Sequence, residues 1–136
     1  MADQPTPAKI LLVEDDRILQ ELYLDRFIGA GFNVVQAFDG QQALDQLAAH
    51  PDTQLILLDI MIPKISGYDV LSMVKADPAT KHIPVIIVSA LGDIDDQAKG
   101  LQLGASDYIT KGGILPGAVV EKIKQYVLSL PGPAQQ

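Results

Sequence analysis

Leu55-Ile56-Leu57-Leu58-Asp59-Ile60-Met61-Ile62-Pro63 is the stretch whose reading decides the fold. Four consecutive apolar residues followed by a carboxylate read as a short strand buried on both faces, as in a parallel sheet covered by helices. Asp59 stands where that strand should end. In open parallel α/β sheets, the crevice beyond the carboxyl ends of the strands is where ligands bind. Pro63 and Gly67 then suit a loop leading into the next helix.

Upstream, residues 10–13 form another short apolar run, followed without a spacer by Glu14, Asp15 and Asp16. Asp16 suits the cap of a helix whose apolar positions Ile18, Leu19, Leu22, Tyr23 and Phe27 recur at helical spacing. Gly29-Ala30-Gly31 closes it. A second strand is expected at 32–37, a turn at Asp39-Gly40, and a second helix through Ala43, Leu44 and Leu47 that stops before Pro51. Downstream, residues 67–76 carry Val70, Leu71 and Val74 as a third helix, and Asp77-Pro78 ends it. The β-branched run at 84–88 is a fourth strand, with Ser89 at its carboxyl end. Residues 93–103 make a fourth helix, 107–109 a brief fifth strand with Lys111 just past it, and Pro116 opens a last helix. Five strand-then-helix units with short connections and right-handed crossovers predict an α/β, doubly wound (βα)5 three-layer sandwich. The order expected is the flavodoxin-like 2-1-3-4-5. Residues 1–8 read as a flexible leader, 9–129 as one domain, and 130–136 as a flexible polar tail.

Composition narrows the function. A formal charge of −7 with no Lys/Arg cluster argues against a nucleic-acid surface. The absence of cysteine excludes disulfides, thiolate metal sites and cysteine nucleophiles. No apolar run is long enough to span a bilayer and no signal-peptide core is present, so the expected location is cytoplasmic. His50 and His82 lack ligand-spaced partners, and no glycine-rich phosphate loop occurs.

The chemistry is carried by strand ends. In the expected order, Glu14 and Asp15, Asp59, Ser89 and Lys111 meet in one shallow pocket. Singly, each has a plain explanation: a helix-capping acid pair, a turn aspartate, a strand-end serine, a solvated lysine. Together they do not. Two like charges about 4 Å apart cost about 4 kcal/mol at an effective dielectric of 20, so three carboxylates need a cation or raised pKa values. Mg²⁺ suits an all-oxygen site that also takes phosphate, and the Met61 carbonyl is placed by sequence to add a neutral ligand. A carboxylate at Asp59 can form an aspartyl phosphate if cations offset the incoming charge, and Lys111 is the cation available. The Ser89 hydroxyl can donate to a phosphoryl oxygen. Tyr108 reads as half-buried filling with a polar tip, able to swing inward.

With these residues in place, the chain from about residue 9 to 128 resembles a response-regulator receiver domain of the two-component, chemotaxis-regulator type. The resemblance rests on Leu11-Leu12-Val13-Glu14-Asp15-Asp16, on Asp59-Ile60-Met61-Ile62-Pro63 with Gly67, on Val88-Ser89-Ala90, and on Gly104-Ala105-Ser106-Asp107-Tyr108-Ile109-Thr110-Lys111. It implies that Asp59 is phosphorylated by a sensor histidine kinase or a histidine phosphotransfer protein. It also implies that Mg²⁺, or Mn²⁺, is held by Glu14, Asp15, Asp59 and the Met61 carbonyl. Ser89, Ala90 and Lys111 would then contact phosphate, and Ser89 with Tyr108 would relay the change to the surface of the fourth helix, fifth strand and fifth helix. That surface would meet a downstream protein target; no nucleic-acid or membrane partner is implied, and no oligomeric state is assigned.

Such a domain is a signalling phosphoacceptor rather than an enzyme, although it would catalyse its own phosphorylation from small donors and its own dephosphorylation. The family usually has a proline after the lysine, through a cis peptide. Gly112 stands here instead, and a trans bond is expected, since a cis bond without proline costs about 3–4 kcal/mol. A haloacid-dehalogenase-like phosphatase would need an aspartate two residues after Asp59, where Met61 stands. The other alternative is a receiver-like scaffold that is never phosphorylated.

Overall fold

The computed structural model describes residues 7–112 and 116–128. The expected leader and tail lie outside the described residues, apart from Pro7 and Ala8. Five units alternate along the chain: β1 (Lys9–Val13), α1 (Arg17–Gly29), β2 (Asn33–Ala37), α2 (Gly40–Ala49), β3 (Leu55–Leu58), α3 (Gly67–Ala76), β4 (Val85–Ser89), α4 (Ile94–Gln102), β5 (Asp107–Thr110) and α5 (Pro116–Leu128). All neighbouring strands pair in parallel, in the order β2-β1-β3-β4-β5.

The strands are short apolar runs because both faces are covered, and their alternation divides the core in two. Leu11, Val13, Ile56, Leu58, Val85 and Ile87 face α2 and α3. Ile10, Leu12, Leu55, Leu57, Ile86 and Val88 face α1 and α5, where Phe27, Val119 and Ile123 are fully buried. A one-residue slip in any strand would exchange the two sets, so the register is firmly specified.

Helix starts are chemically marked. Asp16 Oδ1 accepts from Ile18 N and Leu19 N, Asp39 Oδ1 from Gln42 N, and Ser66 Oγ from Asp69 N. These bonds satisfy amide donors that a helix leaves free at its first turn. Asp93 caps α4 without any such side-chain bond.

The structure corrects three readings. Strand β4 runs through Ser89, so that residue is the last rung of the sheet, paired with Thr110, rather than the residue after it. Helix α4 is shorter than the expected 93–103, because Asp93 and Leu103 are its caps. In α1, Ile18 is 80% and Leu22 43% exposed, whereas Gln20 is 1% exposed. Successive residues turn by about 100°, so positions 18 and 22 both lie about 200° from 20. The sheet-facing line is Gln20, Tyr23 and Phe27.

Candidate functional site at the carboxyl edge of the sheet

β1 and β3 are adjacent, with Val13 opposite Leu58, so the residues that follow them emerge side by side. Asp59 N donates to Val13 O at 3.1 Å, which continues the ladder by one rung and fixes the root of the Asp59 side chain. Glu14 N does the same toward Ala37 O of β2. The sequence has thereby carried Glu14, Asp15 and Asp59 to one corner. Their nearest carboxylate oxygens all lie within 4.8 Å of one another, with Glu14 and Asp59 buried and Asp15 exposed.

Gly67 is required by the same corner. A Cβ there would run into the carbonyl oxygen of Asp59 and the backbone of Ile60, so α3 approaches the Asp59 loop more closely than any other residue permits. Gly67 N donates to Ile60 O at 2.9 Å across this approach.

Lys111 closes the site from β5. Its backbone N–H donates to Ser89 O at 2.8 Å, holding the chain after β5 against the end of β4. Its ammonium then reaches across to Glu14 Oε1 at 2.6 Å and Asp59 Oδ2 at 2.8 Å. No described peptide bond is cis, so the Lys111–Gly112 bond is trans as expected, with Gly112 in the left-handed region at φ +82°. The lysine enters the pocket without the proline.

The remaining acceptors are taken by backbone. Asp59 Oδ1 accepts from Met61 N at 3.1 Å, and Glu14 Oε2 from Asp16 N at 3.1 Å. Burial pushes the Glu14 carboxyl up to about 7, and the charge on Asp59 adds to this against the opposing pull of Lys111 and Asp16 N. For Lys111, burial alone favours the neutral amine. Its bonds to Asp59 and Glu14 outweigh that and hold the ammonium above its ordinary value. Near neutral pH the pocket is therefore short of positive charge. An all-oxygen, carboxylate-rich donor set with a shortage of cation is the chemistry that fits a hard divalent ion such as Mg²⁺.

Ser89 is fully buried, and its Oγ accepts from Leu91 N at 3.2 Å, while Ala90 is exposed. Tyr108 is half-buried, and its hydroxyl donates to Leu91 O at 2.6 Å. The hydroxyl is thereby tied to the segment that follows Ser89. The structure thus gathers Glu14, Asp15, Asp59 and Lys111 directly. Ser89 and Tyr108 lie one layer away, joined through Leu91.

One residue of this region has no counterpart in the sequence reading. Gln20 of α1 is buried and donates through Nε2 to Leu12 O (3.2 Å), Glu14 O (3.0 Å) and Ala37 O (2.8 Å). The available signal was an amide in line with Tyr23 and Phe27 on an otherwise apolar helical face.

A parallel α/β sheet with an acidic corner and an inward lysine at its carboxyl edge is the arrangement of a receiver domain. The chain belongs to that family: the model of the response regulator receiver domain matches residues 10–124. Among relatives, the transcriptional regulatory protein CpxR of Escherichia coli K12 is 48% identical over 103 residues, covering 76% of this chain and 42% of its own length. The chain thus spans about two fifths of that relative. Among solved structures, the phosphorylated cyanobacterial phytochrome response regulator RcpA superposes with a TM-score of 0.81 at 32% identity, covering 93% of this chain and 97% of that one. The CheX–CheY–BeF3–Mg²⁺ complex from Borrelia burgdorferi gives 0.82 at 28% identity, with 92% of each chain covered. Residues 10–124 are thus a receiver domain of the kind found in two-component response regulators. Among the described residues, no helix is long and apolar enough to cross a membrane.

Proposed function

We propose that Asp59 accepts a phosphoryl group from a phosphohistidine, on a sensor histidine kinase or a histidine phosphotransfer protein, and that the acylphosphate switches a protein-binding surface. The observation that carries this is the Lys111 ammonium held between Glu14 and Asp59 with Asp15 beside them. With a divalent ion beside it, that ammonium would offset the charge an incoming phosphoryl group brings. A solved relative holding Mg²⁺ with a beryllofluoride group, and another solved in a phosphorylated form, support the same reading.

In the transfer, a carboxylate oxygen of Asp59 attacks phosphorus, the P–N bond to the imidazole breaks, and the imidazole leaves with the electron pair. Glu14, Asp15, Asp59 and the Met61 carbonyl would hold Mg²⁺, or Mn²⁺. When bound, the ion neutralises charge building on the phosphoryl oxygens. Lys111 stays with the phosphoryl group as a second counter-charge. Ser89 is poised to exchange its bond with Leu91 N for one donated to a phosphoryl oxygen, with the Ala90 backbone beside it. Leu91 is also the residue that Tyr108 holds, so a shift of Ser89 is felt by the ring. The acylphosphate carries about −1.5 to −2 charge at neutral pH where the carboxylate carried −1, and it brings new acceptor oxygens. It biases the α4–β5–α5 face because Ser89 and Lys111 interact with it better in one arrangement than in the other. A downstream protein target then reads that face.

Incubation with acetyl phosphate and Mg²⁺, followed by intact-mass measurement, tests this. The expected result is one phosphoryl adduct that needs Mg²⁺ and disappears in Asp59→Ala. Folded wild-type protein that never gains the adduct would leave the unphosphorylated scaffold as the function.

A further inference from the structure

Glu14 is fixed at both ends. Its carboxylate is held by Lys111 and Asp16 N. Its carbonyl oxygen is held by Gln20 Nε2 at 3.0 Å. That carbonyl needs an outside donor for a topological reason. The β1–β2 ladder ends at Val13 opposite Ala37, and the chain then leaves the sheet at Asp39, which caps α2. The strand that would have supplied the next N–H has gone. A backbone oxygen left unpaired at a buried strand end is unfavourable, and such groups almost always find a partner.

Gln20 supplies it from α1. The same amide nitrogen also reaches Leu12 O and Ala37 O, so one side chain gathers carbonyls near the ends of both β1 and β2. Its orientation is set from the other side, because Gln36 Nε2 donates to Gln20 Oε1 at 3.0 Å. Ala37 O, which Gln20 grips, is also the acceptor for Glu14 N. Gln20 therefore holds Glu14 directly through its carbonyl and indirectly through its amide.

We infer that Gln20 is a positioning residue for the acidic corner: it fixes the Glu14 peptide, and so decides where the Glu14 and Asp15 carboxylates stand relative to Asp59. It touches neither phosphoryl group nor ion. The part of this inference that concerns Mg²⁺ rests on the proposed metal site, but the placement of Glu14 does not. Residues that orient metal ligands from behind typically change affinity by about 10–100-fold when replaced.

The test uses the full chain and three variants. Gln20→Met keeps the length and apolar stem and removes the donor. Gln36→Met leaves the donor and removes only what orients it. Thr53→Val deletes a different buried side-chain bond, the 2.7 Å one to His50 O, and reports general destabilisation. Mg²⁺ titration by calorimetry should show about tenfold weaker binding in Gln20→Met, a smaller loss in Gln36→Met, and none in Thr53→Val. In metal-free protein, the Glu14 and Asp16 amides should exchange with solvent faster in Gln20→Met than the rest of β1 does. Wild-type Mg²⁺ affinity and wild-type exchange at those two amides in Gln20→Met would overturn the inference. If wild type itself ignored Mg²⁺, the metal reading would fail, and the exchange measurement would still decide the role of Gln20.

Discussion

The carboxyl edge of the sheet has two halves built to different standards. At the β1–β3 half, Glu14 and Asp59 are buried, and each carboxylate is bonded both to Lys111 and to a backbone N–H. The flanking helices α1 and α3 start on bonded side-chain caps. At the β4–β5 half, α4 has no side-chain cap bond, buries only Gly100, and leaves Ile94 82% exposed. It is tethered by Tyr68 hydroxyl to Asp96 O at 3.1 Å, while the segment before it is held by Tyr108 hydroxyl to Leu91 O. Elements with few buried contacts open at lower free energy than the core. Under the proposed phosphoryl transfer, the first half would receive charge in a fixed frame, and the second, with fewer buried contacts, is the half that would move in response.

Gly67→Ala attacks the rigid half and should have the largest effect. The new methyl would fall on the Asp59 carbonyl and the Ile60 backbone, neither of which can yield as a side-chain tip would. Overpacking typically costs about 1–3 kcal/mol, and the upper end is expected here. Urea unfolding should therefore show a loss of about 3 kcal/mol, accompanied by loss of Mg²⁺ binding. A stable variant that binds Mg²⁺ normally would mean that the acceptor half is more compliant than its packing implies.

The next effect is a pH profile. The Glu14 carboxyl is raised from 4.5 to about 7 in the folded protein. The folded state therefore binds that proton more tightly than the unfolded state, and the stability this contributes is fully present below pH 4.5 and lost as pH rises through about 7. The contribution is on the order of 3 kcal/mol. Without Mg²⁺, wild type should lose stability across that window, and Glu14→Gln should flatten the loss. Protons and Mg²⁺ compete for the same oxygens, so Mg²⁺ affinity should rise over the same range. An unchanged slope in Glu14→Gln would place the titrating group elsewhere.

Lys111 joins the two halves, and its replacement separates their roles. Lys111→Ala frees two carboxylate oxygens from an internal cation. Mg²⁺ binding should therefore persist and tighten by about tenfold, or about 1.4 kcal/mol. The beryllofluoride-induced change at α4, read by amide chemical shifts, should shrink. Weaker Mg²⁺ binding would show that the lysine organises the acids instead of competing for them.

The two halves were also unequally legible in the sequence. Apolar runs ending in Glu14, Asp59 and Lys111 give the strands, and parallel α/β topology then brings those ends together, so the acidic corner follows from pattern alone. Helical spacing in α1 shows that an apolar face exists, yet Ile18 and Leu22 as well as Tyr23 and Phe27 satisfy it. Which line meets the sheet is decided by tertiary packing, and it selected Gln20. The partners of Gln20 are strand-end carbonyls exposed by where β2 stops, which no local pattern encodes. Likewise, Lys111 was expected to meet Asp59, but its shorter contact is to Glu14, because both acids project from adjacent strands toward a single ammonium.

Gly100→Ala is the counterpart of Gly67→Ala in the β4–β5 half and should have the smallest effect on stability. Its Cβ would stand 2.6 Å from Ile87 Cδ1 and 3.1 Å from Tyr108 Cδ2, both side-chain atoms. These can give way, and alanine in a helix gains about 1 kcal/mol over glycine. The net loss should be at most about 1 kcal/mol. What should change is the position of α4: pushed off Tyr108, it weakens the Tyr108–Leu91 tether, and the α4 amides exchange faster while Mg²⁺ affinity stays the same. If instead Gly100→Ala costs as much as Gly67→Ala, α4 is as firmly seated as α3. The charge-induced change would then have to be expressed somewhere other than this face.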